Sequence, residues 1–298
     1  MKLTAIKFEI VANPKRPEEK SIGIITLNRP DALNAIDIDM RLEMNALLDE
    51  IRYMNDVKVI ILTGAGRAFC AGGDLPSEAV PQGNGDIELE TGLKGPYKRA
   101  MEYFFNDVRH DLLQQMVIKL EGLPQPTIAA LNGITVGGGL ETSVACDMRI
   151  ASDQAKFTEA GVSAGFVAEV GAAFALPKLV GKGKAMEMIL TGRLYTAQEA
   201  LDMGLVDRVV PHDQLMEAAM ELAAQIARNP WLSVRRAKEL IHMYWSADRT
   251  PERYKRETDA VNEIYRTDDC EEGILAFKQK RKPVFKGPMY PKYFKKDK

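Results

Sequence analysis

Ile128-Ala-Ala-Leu-Asn-Gly-Ile-Thr-Val-Gly-Gly-Gly-Leu-Glu141 runs an apolar β-type segment into three consecutive glycines and sets a carboxylate two residues beyond them. Three adjacent glycines are costly in chain entropy, so such a run implies a need for bare backbone. They let the N–H groups of a helix start come close to a ligand oxygen. Glu141 falls in the first turn of that helix, within reach of whatever those groups hold. Backbone donors beside a carboxylate suit a reaction that passes through an oxyanion. The competing reading is a tight turn followed by a surface glutamate.

Working outward, Ser21-Ile-Gly-Ile-Ile-Thr-Leu27 reads as a strand stopped by Asn28-Arg-Pro-Asp31. A helix follows, with Met44, Leu47, Leu48 and Ile51 on one face. Val57 to Thr63 is a second strand, Thr127 to Leu131 a third and Met148 to Ala151 a fourth, while the glycine run opens a helix through Val144. Short β runs alternating with helices predict an α/β fold with parallel pairing. Residues 76–96 carry Pro81, Gly83, Gly85, Gly92, Gly95 and Pro96 among acidic residues and read as a long mobile loop bordering the site. Residues 97–122 read as helix. Beyond Val210 the β signal fades into two amphipathic helices, Leu215 to Ala227 and Trp231 to Trp245, and a basic tail from Lys278 to Lys298. The expected division is a core over 1–210 and a helical region over 211–298, whose helices have little to pack against within one subunit.

Composition narrows the chemistry. The 298 residues are 46% hydrophobic with a net charge of -2, so no whole-chain basic field points to nucleic acid or membrane. Three cysteines, Cys70, Cys146 and Cys270, suit a reducing compartment. The N-terminus lacks an uncharged h-region, and no run of about 18 apolar residues occurs, so a cytoplasmic location with no membrane span is expected. His110, His212 and His242 form no zinc-type spacing with cysteine, and neither a Walker A lysine motif nor G-x-G-x-x-G is present. No metal is expected.

Several ordered motifs together resemble the enoyl-CoA hydratase/isomerase (crotonase) superfamily. They are Thr26-Leu-Asn-Arg-Pro-Asp-Ala-Leu-Asn-Ala35, Gly64-Ala-Gly-Arg-Ala-Phe-Cys-Ala-Gly-Gly-Asp74, Ala129 through Glu141, Ala145-Cys-Asp-Met-Arg149, Leu190-Thr-Gly-Arg193, Ala197-Gln-Glu-Ala-Leu201, Gly204 to Val210, and Phe277-Lys-Gln-Lys-Arg-Lys-Pro283. The resemblance covers roughly residues 5–285 and leaves out the 76–100 loop and the tail. It implies a spiral of ββα turns with a C-terminal helical trimerisation region, assembled as a homotrimer or hexamer. It implies an acyl-CoA thioester as substrate, with no cofactor beyond the coenzyme A that the substrate carries, in fatty-acid or aromatic/alicyclic acid metabolism. Carried over residue by residue, it puts the backbone N–H groups of Ala71 and Gly138 on the thioester carbonyl. It puts Arg29, Ala32, Gly72, Gly73, Asp74 and Leu75 near CoA, with Phe277 and Lys280 reaching the nucleotide end of a neighbouring subunit's ligand.

The family's hydratases use two glutamates. Glu141 matches one; Gly161 stands where the other is required. This departure argues against ordinary two-glutamate hydration and leaves room for a bulky, cyclic or dienoyl acyl group. A second acid appears at Glu169, a position that dienoyl-CoA isomerases, a branched hydroxyacyl-CoA hydrolase and an aryl-CoA dehalogenase also use. Its apolar neighbours Phe166, Val167, Val170 and Phe174 predict partial burial and a raised pKa, suited to acid/base work; the competing reading is a helix-start glutamate. Glu159 is a third candidate on the strand before Gly161. The dehalogenase-type histidine is missing, its place falling near Gln114.

Three other functions remain in view. An acyl-CoA hydrolase of the same fold would cleave a thioester or C–C bond. Gly161-Val-Ser-Ala-Gly165 matches the nucleophile elbow of serine hydrolases, with Ser163, Asp202 or Asp207, and His212 or His242 as a drawable triad, although His242 lies inside a helical pattern. A non-catalytic CoA- or RNA-binding scaffold would use the basic tail.

Overall fold

The computed structural model describes residues 3–74, 108–162, 168, 170–245 and 267–285. Leu75, Ser163, Glu169, the 76–96 segment and the basic tail from residue 286 onward lie outside the described residues, as does the side chain of Phe277.

Two sheets organise the chain. The larger has the order β1-β2-β3-β5-β7-β10, built from β1 (Ile6–Asn13), β2 (Arg16–Leu27), β3 (Val59–Gly64), β5 (Thr127–Leu131), β7 (Met148–Ser152) and β10 (Arg208–Val210). The smaller has the order β4-β6-β8-β9, from Ala68–Cys70, Ile134–Val136, Lys156–Thr158 and Tyr195–Thr196. Three times in succession a long strand enters the first sheet and the chain then adds a short strand to the second, as β3–β4, β5–β6 and β7–β8. This is the expected spiral. Pairing is parallel except for the β1–β2 hairpin and the β8–β9 pair. The short strands were invisible in the sequence because two or three residues carry no readable period. β1 was missed although Ile6-Lys7-Phe8-Glu9-Ile10 alternates apolar and charged residues, and the polar start of β2 was missed because its pairing comes from the hairpin and not from an apolar alternation.

Two asparagines tie the spiral's corners together. Asn132 accepts from the Gly64 N–H (3.1 Å) and donates to the Gly66 and Ala68 carbonyls (3.0 and 3.1 Å). Asn34 donates to Ala65 and Ala68 (2.9 and 2.8 Å) from a left-handed backbone with φ 57, a conformation asparagine tolerates better than most residues. Each amide satisfies carbonyls of the 64–68 turn that leads from β3 into β4.

The larger sheet is apolar on both faces, as expected for parallel strands covered on each side. On one face Ile25, Ile60, Leu62 and Ala129 meet Met40, Met44 and Leu48 of α1 (Ile38–Ile51) and Met116 and Leu120 of α2 (Val108–Glu121). Asp37 caps α1 by accepting from the Met40 N–H at 2.9 Å. On the other face Ile22, Ile24, Val59, Ile61, Ile128 and Ile150 meet Leu215, Ala219, Ala223 and Ala227 of the helix Leu215–Ala227. That helix was expected to lack a partner within one subunit. It finds one because its small residues recur every four positions and let it lie close on the sheet. Leu62, fully buried in the first cluster, reports on this core. Leu62→Ala should cost about 2–5 kcal/mol, read as a lower urea midpoint with an unchanged slope.

Candidate active site

The helix α3 (Gly138–Val144) starts at the end of β6, where the Gly137 N–H donates to the Thr158 carbonyl at 3.1 Å. Gly139 is required by close approach: a Cβ there would sit 2.4 Å from the Cys70 carbonyl oxygen, so the helix start lies directly against β4. Gly72, with φ 93, turns the chain after β4 so that its own Cβ position would be 3.6 Å from the Gly138 nitrogen. From the point where a Cβ would stand on Gly138, the Gly73 nitrogen is 3.7 Å away and Glu141 Oε2 is 3.9 Å away. Glu141 is 3% exposed. Two backbone turns and one buried carboxylate thus converge on a single point.

The pairing of Gly72, Gly73 and Asp74 decides which N–H groups face that point. Ile36 forms a parallel bridge with Gly73: its N–H donates to the Gly72 carbonyl (2.8 Å), and its carbonyl accepts from the Asp74 N–H (3.2 Å). The N–H of Gly73 itself therefore points away from Ile36, and it makes no hydrogen bond among the described residues. The N–H of Ala71 donates to the Leu33 carbonyl at 3.0 Å. The assignment of Ala71 as a carbonyl-binding donor is corrected accordingly: its donor is already used, and the N–H turned toward Gly138 belongs to Gly73.

Arg29 and Asp74 are joined to each other. The guanidinium of Arg29 reaches Asp74 Oδ2 at 2.7 Å and Asp37 Oδ2 at 3.0 Å, and it donates to the Ala35 carbonyl. These side chains clamp the 29–37 turn onto the 72–74 turn. Ala32 closes the 3-10 turn Pro30–Ala32 on the same segment, half-buried. Gly161 lies in a half-buried turn, and Glu159 is 2% exposed just past β8. Because Thr158 holds the start of α3, Glu159 is a second buried acid beside it. Lys280 is exposed with φ 54, two residues after α9 (Asp268–Lys278).

A cavity of about 1030 Å³ opens beside Glu141, bounded by α2, α3, α4 (Ala172–Val180) and α8 (Trp231–Trp245), the helices Lys182–Thr191, Ala197–Asp202 and Leu215–Ala227 being α5, α6 and α7. Gly161, expected to provide acyl room, is not among its walls. Cys70 and Cys146 are fully buried, and desolvation pushes both thiols up to about 12, which keeps them protonated and excludes them as nucleophiles.

Sequence reading passed over one polar cluster. Asp147 Oδ2 accepts from the Thr127 N–H and hydroxyl (2.7 and 3.0 Å) and from Lys238 Nζ (2.7 Å), while Oδ1 meets His242 Nε2 at 2.7 Å. This carboxylate fastens α8 to β5, which accounts for a histidine within a helical pattern. Burial pushes the Asp147 carboxyl up, but the His242, Lys238 and Thr127 bonds outweigh it and hold the group below its ordinary value. A depressed folded pKa gives stability that is present above the unfolded value near 3.8 and is lost as pH falls through the folded value. Asp147→Ala should cost about 3–5 kcal/mol at neutral pH, because Lys238 stays buried without its counterion. The gap in Tm between wild type and variant should narrow below pH 4.

Comparison with known proteins agrees with this architecture. Residues 17–288 match the enoyl-CoA hydratase/isomerase family. The chain is 37% identical over 271 residues to the enoyl-CoA hydratase/isomerase YngF of Bacillus subtilis, covering 91% of this chain and 96% of that one. It is 35% identical over 266 residues to a short-chain-enoyl-CoA hydratase of Clostridium acetobutylicum, covering 89% and 94%. Among solved structures, an enoyl-CoA hydratase of Bacillus anthracis superposes with a TM-score of 0.81 at 35% identity, covering 95% of this chain and 99% of that one. With its motifs in order, its two-sheet spiral and these matches along nearly its whole length, the chain belongs to the enoyl-CoA hydratase/isomerase family of the crotonase superfamily.

Proposed function

We propose that this protein acts on an unsaturated acyl-CoA thioester, adding or eliminating water or moving a double bond through a stabilised enolate. The observation that carries the reading is the convergence of the Gly73 nitrogen and Glu141 Oε2 on the Gly138 backbone. The thioester oxygen accepts from the N–H groups of Gly73 and Gly138. The first residue of a helix has an N–H directed out of the helix, and its dipole adds positive potential at the same spot. Both donors stand ready before charge develops on the oxygen, so they stabilise the enolate more than the ground state. Glu141, beside that oxygen, moves the proton at the adjacent carbon.

The second acid is Glu169 or Glu159. Glu169 is the reading from the family; Glu159 is supported by its burial next to the α3 start. With glycine at 161, the reaction does not use the usual second glutamate. CoA lies along the 29–37 and 71–75 turns, and Phe277 and Lys280 reach the nucleotide of a neighbouring subunit in a trimer or hexamer.

The test is incubation of a 2-enoyl-CoA, a dienoyl-CoA and a cyclic enoyl-CoA in heavy water, with mass detection of products. Deuterium at the α or γ carbon, or uptake of one water, is the expected result. Release of free CoA without exchange at carbon would overturn it in favour of a thioester hydrolase.

A further inference from the structure

We infer that the cavity beside Glu141 is the acyl pocket of this enzyme and that it selects a long hydrocarbon chain over a four-carbon one. The inference rests on the reading of the site given above. Helix α3 makes the connection. Its N-terminal N–H groups and Glu141 face the thioester point, and the residues that follow Glu141 on the same face, Val144 and Ala145, line the cavity. Glu141 is thus shared between the reacting atoms and the cavity wall.

The volume decides the size class. About 1030 Å³ lies at the top of the roughly 300–1,000 Å³ usual for small-molecule sites. A four-carbon acyl group would leave most of that apolar wall without contacts.

The walls decide the chemistry. Ile118, Phe174, Ile241 and Trp245 border the cavity on three different helices, and each is more than half exposed. A contiguous apolar surface of that kind marks a binding site. Of the charged wall residues, Asp147, Lys238 and His242 already compensate one another at 2.7 Å, Arg149 donates to the Leu205 and Cys146 carbonyls (both 2.8 Å), and Glu121 and Lys178 are solvent-exposed. That end does not require a charged group on the ligand, so hydrocarbon fills it.

The experiment is a chain-length series of straight 2-enoyl-CoAs with 4, 8, 12 and 16 carbons, run on the wild type and on Val144→Trp and Ala237→Trp. These variants narrow the cavity from two different helices, and Ala237 is exposed, so a folding failure at α3 leaves the second variant to read. For the wild type, kcat/KM should rise about fourfold per methylene over the first several carbons, the factor expected for burying each one. Either tryptophan should cut the 12-carbon value at least tenfold more than the 4-carbon value. In parallel, calorimetry measures saturated dodecanoyl-CoA against butanoyl-CoA. If no enoyl-CoA is turned over, yet dodecanoyl-CoA binds tighter and the tryptophans erase the difference, the reaction is wrong and the pocket stands. A flat chain-length profile with equal binding of the two saturated thioesters overturns the pocket. So does an unchanged profile accompanied by a lower assembly mass in the variants, which would assign the cavity to a subunit contact.

Discussion

Glu141→Gln should lower kcat/KM on the true substrate by about 10²–10⁴, the range for losing a positioned general acid or base. The amide keeps the shape of the buried side chain but cannot take a proton, so folding should be retained and Tm should change little. The partner acid is separated by two further single variants. If Glu169→Gln is similarly impaired and Glu159→Gln is near wild type, the Glu141–Glu169 pair is supported; the reverse outcome moves the second role to Glu159. Near-full activity of Glu141→Gln would remove the proton-transfer mechanism altogether.

Gly138→Pro should reduce kcat by about 10²–10³, the loss seen when one oxyanion donor is removed, while Gly138→Ala should retain most of the activity. The pair is informative because proline is well tolerated at the first position of a helix, where the N–H has no intrahelical partner. A Cβ at Gly138 meets nothing nearer than Ile36 Cδ1 at 3.5 Å, so alanine fits and keeps the donor. If both variants fail alike, the effect is steric, and the hydrogen-bond assignment falls. A crystal structure with a bound thioester would separately decide between Gly73 and Ala71, by whether its oxygen lies within about 3 Å of the Gly73 nitrogen.

These expectations depend on unequal shares of sequence and structure. By itself the sequence located four strands of the larger sheet (β2, β3, β5 and β7), the start of α3 at the glycine run, the position of Glu141 in its first turn, and the family. It could do so because apolar periods and glycine runs act over a few neighbouring positions, and local chemistry is written locally. The helices Leu215–Ala227 and Trp231–Trp245 were legible for the same reason.

Only the tertiary structure decided what each group faces. Ala71 and Gly73 are separated by one residue on one turn, and their composition does not distinguish their N–H groups. The bond from Ala71 to Leu33 and the bridge of Ile36 with Gly73 do, and they reach across 38 and 37 positions of chain. The clamp of Arg29 on Asp74, the four contacts that gather on Asp147, and the cavity between α2, α3, α4 and α8 are likewise products of distant segments. Hydrogen bonds and voids form between whatever the fold brings within a few ångströms, and that proximity is set by the packing of the whole spiral.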